Sequence, residues 1–172
     1  MTELAVTAIG TDRPGIVAAV ADVLLERGGN VEDSAMTILG GHFAVVLLVE
    51  SPDDPQDLEQ ALRDATSDLG LTIAVTPAGE GQESPAPTHL LSVYGTDKPG
   101  ILAGVTDALA DLDANITDLE TRLLSSDDEP VYAMVLELVH DGDEAALEAA
   151  IEEACVGLKV DHTLRKIDAE TY

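Results

Sequence analysis

Basic residues are scarce in this chain. Eight Lys and Arg stand against 34 Asp and Glu in 172 residues, a formal charge of −26. A surface this acidic repels the phosphates that a nucleic-acid binder has to neutralise, so direct nucleic-acid binding is not expected. The one adjacent basic pair, Arg165-Lys166, makes no stripe. Aromatic residues are equally thin: three Tyr, one Phe and no Trp, scattered rather than set out as a base-stacking platform. A single cysteine, Cys155, excludes an intramolecular disulfide and any cysteine-based metal spacing, and fits a reducing compartment. No apolar run approaches the roughly 18 residues of a membrane span. The opening MTELAVTAIGTDRPG lacks a basic region, a signal-type apolar core and a cleavage motif. A cytoplasmic location without membrane association is therefore expected.

What the chain does have is a repeat. Gly10-Thr11-Asp12-Arg13-Pro14-Gly15-Ile16 returns as Gly95-Thr96-Asp97-Lys98-Pro99-Gly100-Ile101, 85 positions later. From Gly10–Asp33 against Gly95–Asp118, 12 of 24 pairs are identical without a gap, which chance does not explain. Beyond Asp33 the offset grows to 89, pairing Phe43 with Tyr132, Leu58 with Leu147, Leu62 with Ile151 and Leu69 with Leu158. The four extra residues fall around Ser125-Ser126-Asp127-Asp128-Glu129-Pro130, where the first copy has only Gly40-Gly41. A longer hairpin loop accounts for them. Between the copies, AGEGQESPAPT reads as an exposed linker. The expected division is 1–77, a linker at 78–87, and 88–172.

Each copy carries the same order of periodicities. A strand, Leu4–Ile9 or Leu90–Tyr94, runs into the Gly-Thr-Asp-x-Pro-Gly turn. A helix follows, with Ile16, Val17, Val20 and Leu24, or Ile101, Leu102, Val105 and Leu109, expected as one buried stripe. Asp12 or Thr11 is expected to cap its first turn, with Pro14 at an opening position. In the first copy, strands Val31–Leu39 and His42–Glu50, a helix Gln56–Leu69 and a strand Leu71–Thr76 complete the order. With right-handed crossovers, β-α-β-β-α-β builds a four-stranded antiparallel sheet with both helices on one face. The fold class is thus α+β, two ferredoxin-like βαββαβ domains. Their exposed edges call for a partner, so the copies are expected to associate, and a homodimer is possible.

The repeated motif points backbone N–H groups at one spot beside a helix amino end, a corner receptive to a carboxylate. Gly15 and Gly100, lacking Cβ, let a ligand approach the main chain, and Asp12 and Asp97 can accept from an ammonium group. An amino acid presents both charges. The alternative is an ordinary strand-to-helix turn, since Gly, Pro and Asp are turn residues. Asn30 and Asn115 recur just before the second strand. After Gly28-Gly29 an Asn is commonly only a helix terminator, an explanation that Asp113-Ala114 weakens in the second copy.

These residues carry a family resemblance. Gly-Thr-Asp-Arg-Pro-Gly-Ile leading into a helix, with Gly-Gly-Asn-Val opening a strand, resembles the ACT domain. The second copy repeats it as Gly-Thr-Asp-Lys-Pro-Gly-Ile and Ala-Asn-Ile. Two such domains with nothing else resemble the glycine cleavage system transcriptional repressor group. The resemblance implies a non-enzymatic sensor that binds a small amino acid, of the glycine or serine class, at paired domains. It implies action through a regulatory partner protein, with no cofactor. The implied ligand residues are Thr11, Asp12, Pro14, Gly15, Ile16, Asn30 and Val31 in the first copy. In the second they are Thr96, Asp97, Pro99, Gly100, Ile101, Asn115 and Ile116. The implied corners combine Asp12 and Gly15 with Asn115, and Asp97 and Gly100 with Asn30. Asp113-Ala114, where glycines are usual, sets the two corners apart.

Other candidates read as structural. His42, His89, His140 and His162 are far apart in sequence without metal-ligand spacing, so surface or strand positions explain them. Cys155 stands where the first copy has Thr66 and reads as a packed thiol. Asp127-Asp128-Glu129 lacks the ligand alternation of a calcium loop and reads as a solvated tip. No nucleophile pairs with a base and no metal set is suggested, so catalysis is not expected. The rival reading is an interaction module that dimerises or docks on an enzyme without ligand.

Overall fold

The computed structural model describes residues 1–79, 85–124 and 130–167. Contacts divide the chain into Met1–Gln82 and Glu83–Tyr172. The first unit runs β1 (Thr2–Thr11), α1 (Ile16–Glu26), β2 (Asn30–Leu39), β3 (His42–Ser51), α2 (Pro55–Ala65) and β4 (Thr72–Pro77). The second runs β5 (His89–Thr96), α3 (Ile101–Ala110), β6 (Asn115–Leu124), β7 (Val131–Val139), α4 (Glu144–Leu158) and β8 (Asp161–Lys166). The sheets are ordered β2-β3-β1-β4 and β6-β7-β5-β8, with every pairing antiparallel.

Alternation in the strands makes the cores. Leu4, Val6 and Ala8 of β1 point inward with Phe43, Val45, Leu47 and Val49 of β3. They meet Ile16, Val20 and Leu24 of α1 and Leu58 and Leu62 of α2. In the second unit Leu91, Val93, Met134, Leu136 and Leu138 meet Ile101, Val105, Leu109, Leu147, Ile151 and Cys155. The pairs offset by 89 therefore occupy equivalent core positions. The repeat extends to irregularities: β2 shifts register between Val31 and Asp33, and β6 between Ile116 and Asp118.

Gly40 and Gly41, at φ 57° and 80°, make the tight turn between β2 and β3 that only residues free of Cβ adopt easily. The acidic loop 125–129 and the linker residues 80–84 lie outside the described residues. The expected helix over Gln56–Leu69 divides: α2 ends at Ala65, and Ser67–Leu69 form a single tighter 3-10 turn closed by Gly70 at φ 65°. The Thr66 hydroxyl donates to Leu62 O at 2.7 Å, so the side chain competes for a carbonyl of the helix's last turn.

Val17 was expected within the buried stripe of α1, and Leu102 within that of α3. Both are exposed, Val17 at 52%. The buried face of each helix is narrower than helical spacing alone names: Ile16, Val20, Val23 and Leu24, or Ile101, Val105 and Leu109, face inward. Val17 and Leu102 are left at the margin over the edge strand. Those edges, β2 and β6, are exposed along nearly their whole length and display Val31, Met36, Ile38, Leu119 and Leu123.

Candidate functional site

The loops after β1 and β5 end in glycines of matching backbone conformation. Gly15 (φ 96°, ψ −9°) is the N-cap of α1 and Gly100 (φ 97°, ψ −6°) that of α3. This corrects the expected cap: neither Asp12 nor Thr11 caps α1, and no side-chain hydrogen bond closes either helix start. The reason is geometric. A side-chain cap needs an extended residue at the N-cap position, whereas here a left-handed glycine turns the chain directly into the helix. Gly15 O accepts from Ala19 N at 2.9 Å and Gly100 O from Gly104 N at 2.9 Å. Pro14 and Pro99 precede these caps and lie just outside the helices.

A cap without a side chain has a chemical consequence. The first-turn N–H groups, including those of Ile16 and Val17, are left without a side-chain acceptor, at the positive end of the helix dipole. A Cβ built on Gly15 or Gly100 meets nothing within 4 Å, so the space beside each cap glycine is open. Thr11, Asp12, Pro14 and Gly15 are exposed, as are Thr96, Asp97, Pro99 and Gly100. Ile16 and Ile101 are buried, so only their backbone can serve a ligand. The Asp12 N–H is already spent on Gly41 O at 2.9 Å, and the Asp97 N–H reaches Pro130 O at 3.3 Å. The first glycine of each motif, missed as a candidate, is a packing position. A Cβ on Gly10 would lie 2.7 Å from Leu71 Cδ2, and one on Gly95 2.8 Å from Val160 Cγ1.

Asn30 and Asn115 are exposed at the first positions of β2 and β6. Register separates them from the loops of their own units. Asn30 faces Glu50, which faces Glu3 on β1, and Thr11 lies eight residues further along that strand, on the order of 26 Å away. In the second unit Ile116 faces Leu138, itself paired with His89, while Thr96 sits at the far end of β5. A single unit therefore cannot offer its loop and its own Asn to one small ligand.

The supposed contrast between Gly28-Gly29 and Asp113-Ala114 shrinks in the structure. Gly28 (φ 74°) and Asp113 (φ 53°) occupy the same left-handed position after the helix. Gly29 N donates to Leu24 O at 2.8 Å, and Ala114 N to Leu109 O at 3.0 Å. Ala114 is 8% exposed and belongs to the core, so its methyl does not narrow a ligand site. The glycine explanation of a helix terminator thus holds in both copies, with Asp113 adopting the glycine conformation.

The histidines need a second correction. His89 and His140, 51 positions apart, are both buried, with ring centroids 6.3 Å apart. Adjacent ends of β5 and β7 bring them together. Thr88 Oγ1 lies 2.8 Å from His89 Nδ1 and accepts from His140 N at 2.9 Å, while the Nε2 atoms of both rings lack a hydrogen-bond partner among the described residues, that of His89 lying 4.0 Å from Glu144 Oε1. Burial lowers the His89 pKa. No group of three or more metal-type ligands occurs among the described residues, and no helix among them is long and apolar enough to cross a membrane. Burial pushes the Cys155 thiol up.

Residues 2–76 match the ACT domain family, and residues 89–155 match it again. The chain belongs to the ACT-domain family. As a tandem of ACT domains it is 27% identical, over 88% of its length and 80% of the relative's, to the glycine cleavage system transcriptional repressor of Escherichia coli. Over 78 residues, 44% of this chain and 87% of the other, it is 42% identical to a UPF0237 protein of Methanopyrus kandleri. A crystal structure of a protein of unknown function from Galdieria sulphuraria superposes with a TM-score of 0.83 at 29% identity, covering 97% of this chain and 99% of the other. Tandem ACT domains and similarity to a repressor support a regulatory role.

Proposed function

We propose that this ACT tandem senses a small amino acid and modulates a partner protein, without catalysis of its own. The observation that carries the reading is the pair of matched loops. In both units a left-handed glycine with open space beside it begins a helix that has no side-chain cap, in a loop that also carries an exposed aspartate. Such a corner suits a carboxylate and an ammonium group together. Because one unit cannot bring its own Asn to its own loop, the Asn at each corner is proposed to come from another copy. Asn115 then joins Asp12 and Gly15, and Asn30 joins Asp97 and Gly100, whether within one chain or between two. By likeness to the repressor, the partner acts in transcriptional control of glycine or one-carbon metabolism. The charge of −26 argues that such a partner, rather than this chain, contacts DNA.

A thermal-shift screen of the twenty amino acids tests the proposal. A ligand bound only by the folded state stabilises by RT ln(1 + [L]/Kd), about 2.7 kcal/mol at a concentration one hundred times Kd. Stabilisation by a small amino acid, lost in Asp12→Ala or Asp97→Ala, is the expected result. The exposed apolar residues of β2 and β6 favour a second reading, an interaction module that does not bind ligand. A flat screen together with association of copies through these edges selects that reading instead.

A further inference from the structure

The first unit contains a cavity of about 160 Å³ between α1 and the β2–β3 edge of its sheet. Val17, Ala21, Val31 and Ser34 stand around it, and Val45 and Leu47 lie beneath. Ser34 is the one polar lining residue. Apolar cavities of about 150 Å³ stay dry and accept a benzene-sized group, so this volume suits a branched aliphatic group of four or five carbons.

The second copy carries different side chains around the corresponding place. At the equivalent positions Leu102 replaces Val17, Thr106 replaces Ala21, Ile116 replaces Val31, Leu119 replaces Ser34 and Met134 replaces Val45. All five are larger, by a carbon or two in most cases. Exposure follows: Val45 and Leu47 retain 6% and 8%, whereas Met134 and Leu136 are at 0%. The second unit thus carries larger side chains around the corresponding place, and the sheet residues beneath them are more completely buried. Val17, at the rim, lies two residues beyond the Gly15 cap, roughly 3 Å further along the helix axis. A ligand held by its carboxylate at the amino end of α1 is therefore within reach of the opening.

We infer that the first ACT domain is selective for amino acids with branched aliphatic side chains, leucine and isoleucine foremost, whose side chain enters this cavity. The inference rests on the amino-acid reading above and replaces the glycine or serine class for this unit. Burial of each carbon is worth roughly fourfold in affinity, so the four side-chain carbons of leucine should place it ahead of glycine by on the order of a hundredfold.

Calorimetry on the full chain with L-leucine, L-isoleucine and glycine tests this, with Ser34→Leu and Val31→Ile, the second copy's own residues, as filling variants. Far-ultraviolet circular dichroism and a thermal melt confirm their folding, and Val45→Met stands in if Ser34→Leu does not fold. The expected result is a leucine preference of at least tenfold that falls to near one in the filling variants and survives Leu119→Ser in the second unit. Equal affinity for leucine and glycine, with both lost in Asp12→Ala, overturns the cavity's role and leaves the corner intact. Leucine binding unchanged by Ser34→Leu overturns it too, and a changed oligomeric state in that variant would assign the cavity to a second copy. If no amino acid binds, both readings fall.

Discussion

Replacing Gly15 by Ala isolates the backbone device on which the corner depends. The residue sits at φ 96°, ψ −9°, and a Cβ there meets nothing within 4 Å. Steric collision contributes nothing, so the cost is conformational. Forcing an L-residue into a left-handed turn costs about 1–2 kcal/mol. For a unit of this size each kcal/mol lowers Tm by about 4–8 °C, so a loss of roughly 4–16 °C is expected in the transition that reports the first unit. Gly100→Ala, at φ 97°, should lower the second unit equally. Asn tolerates positive φ better than Ala, so Gly15→Asn should recover part of the loss. Gly10→Ala provides the contrast, because its Cβ would lie 2.7 Å from Leu71 Cδ2 and 3.3 Å from Gly70 O, and Asn there should be worse than Ala. Urea unfolding followed by circular dichroism gives the ordering. A Gly15→Ala protein as stable as wild type, or Asn no better than Ala, would show that the left-handed cap is not enforced and refute the argument.

Three further outcomes are expected. Burial first, then the charges of Lys166 and His140, depress the His89 pKa against the opposing pull of Glu144, so folding favours the neutral ring. Stability is fully present above the ordinary value of 6.5 and is lost as pH falls through it towards the lower folded value. His89→Asn should flatten that slope in unfolding measured from pH 7.5 to 5, and an unchanged slope would exclude His89 as its source. Gly29→Ala should destabilise the first unit by about 1 kcal/mol, since its Cβ meets Leu24 O at 3.2 Å and Val49 Cγ1 at 3.3 Å. The same variant should leave ligand affinity unchanged in calorimetry, and a tenfold loss would place Gly29 at the ligand. Cys155, buried and with its thiol pKa raised, should react with a thiol reagent at neutral pH only at the rate of unfolding, read from absorbance with and without denaturant.

The fold was legible because the duplication let each pattern be read twice. Asp33 with Asp118 and Phe43 with Tyr132 located the change of offset, and the hairpin lay between them. The glycines were legible as special, but not why. A positive φ at Gly15, a close approach at Gly10 and a packed position at Gly29 look identical in sequence, and only the backbone tells them apart. The helix cap was misassigned because Asp before Pro-Gly fits the usual side-chain cap, and nothing local reveals that the glycine performs the turn by itself. The meeting of His89 with His140 was not legible because strand pairing joins residues without a sequence period, here across the β5–β7 ladder. Val17 was misplaced for a related reason: helical spacing names a face, while the sheet beneath decides how wide a face is covered.

The glycine cap has one more implication, for acid and base. A helix start closed by Asp or Glu changes character when its carboxyl takes up a proton, and the potential at that end changes with it. The starts of α1 and α3 contain no titrating group in the cap itself. Main-chain amides keep their protons across the whole range in which the fold survives, so the attraction these loops exert on an anion is constant with acidity. Any dependence of binding on pH must therefore originate outside the cap, which makes the binding profile itself a way to tell which partner is titrating.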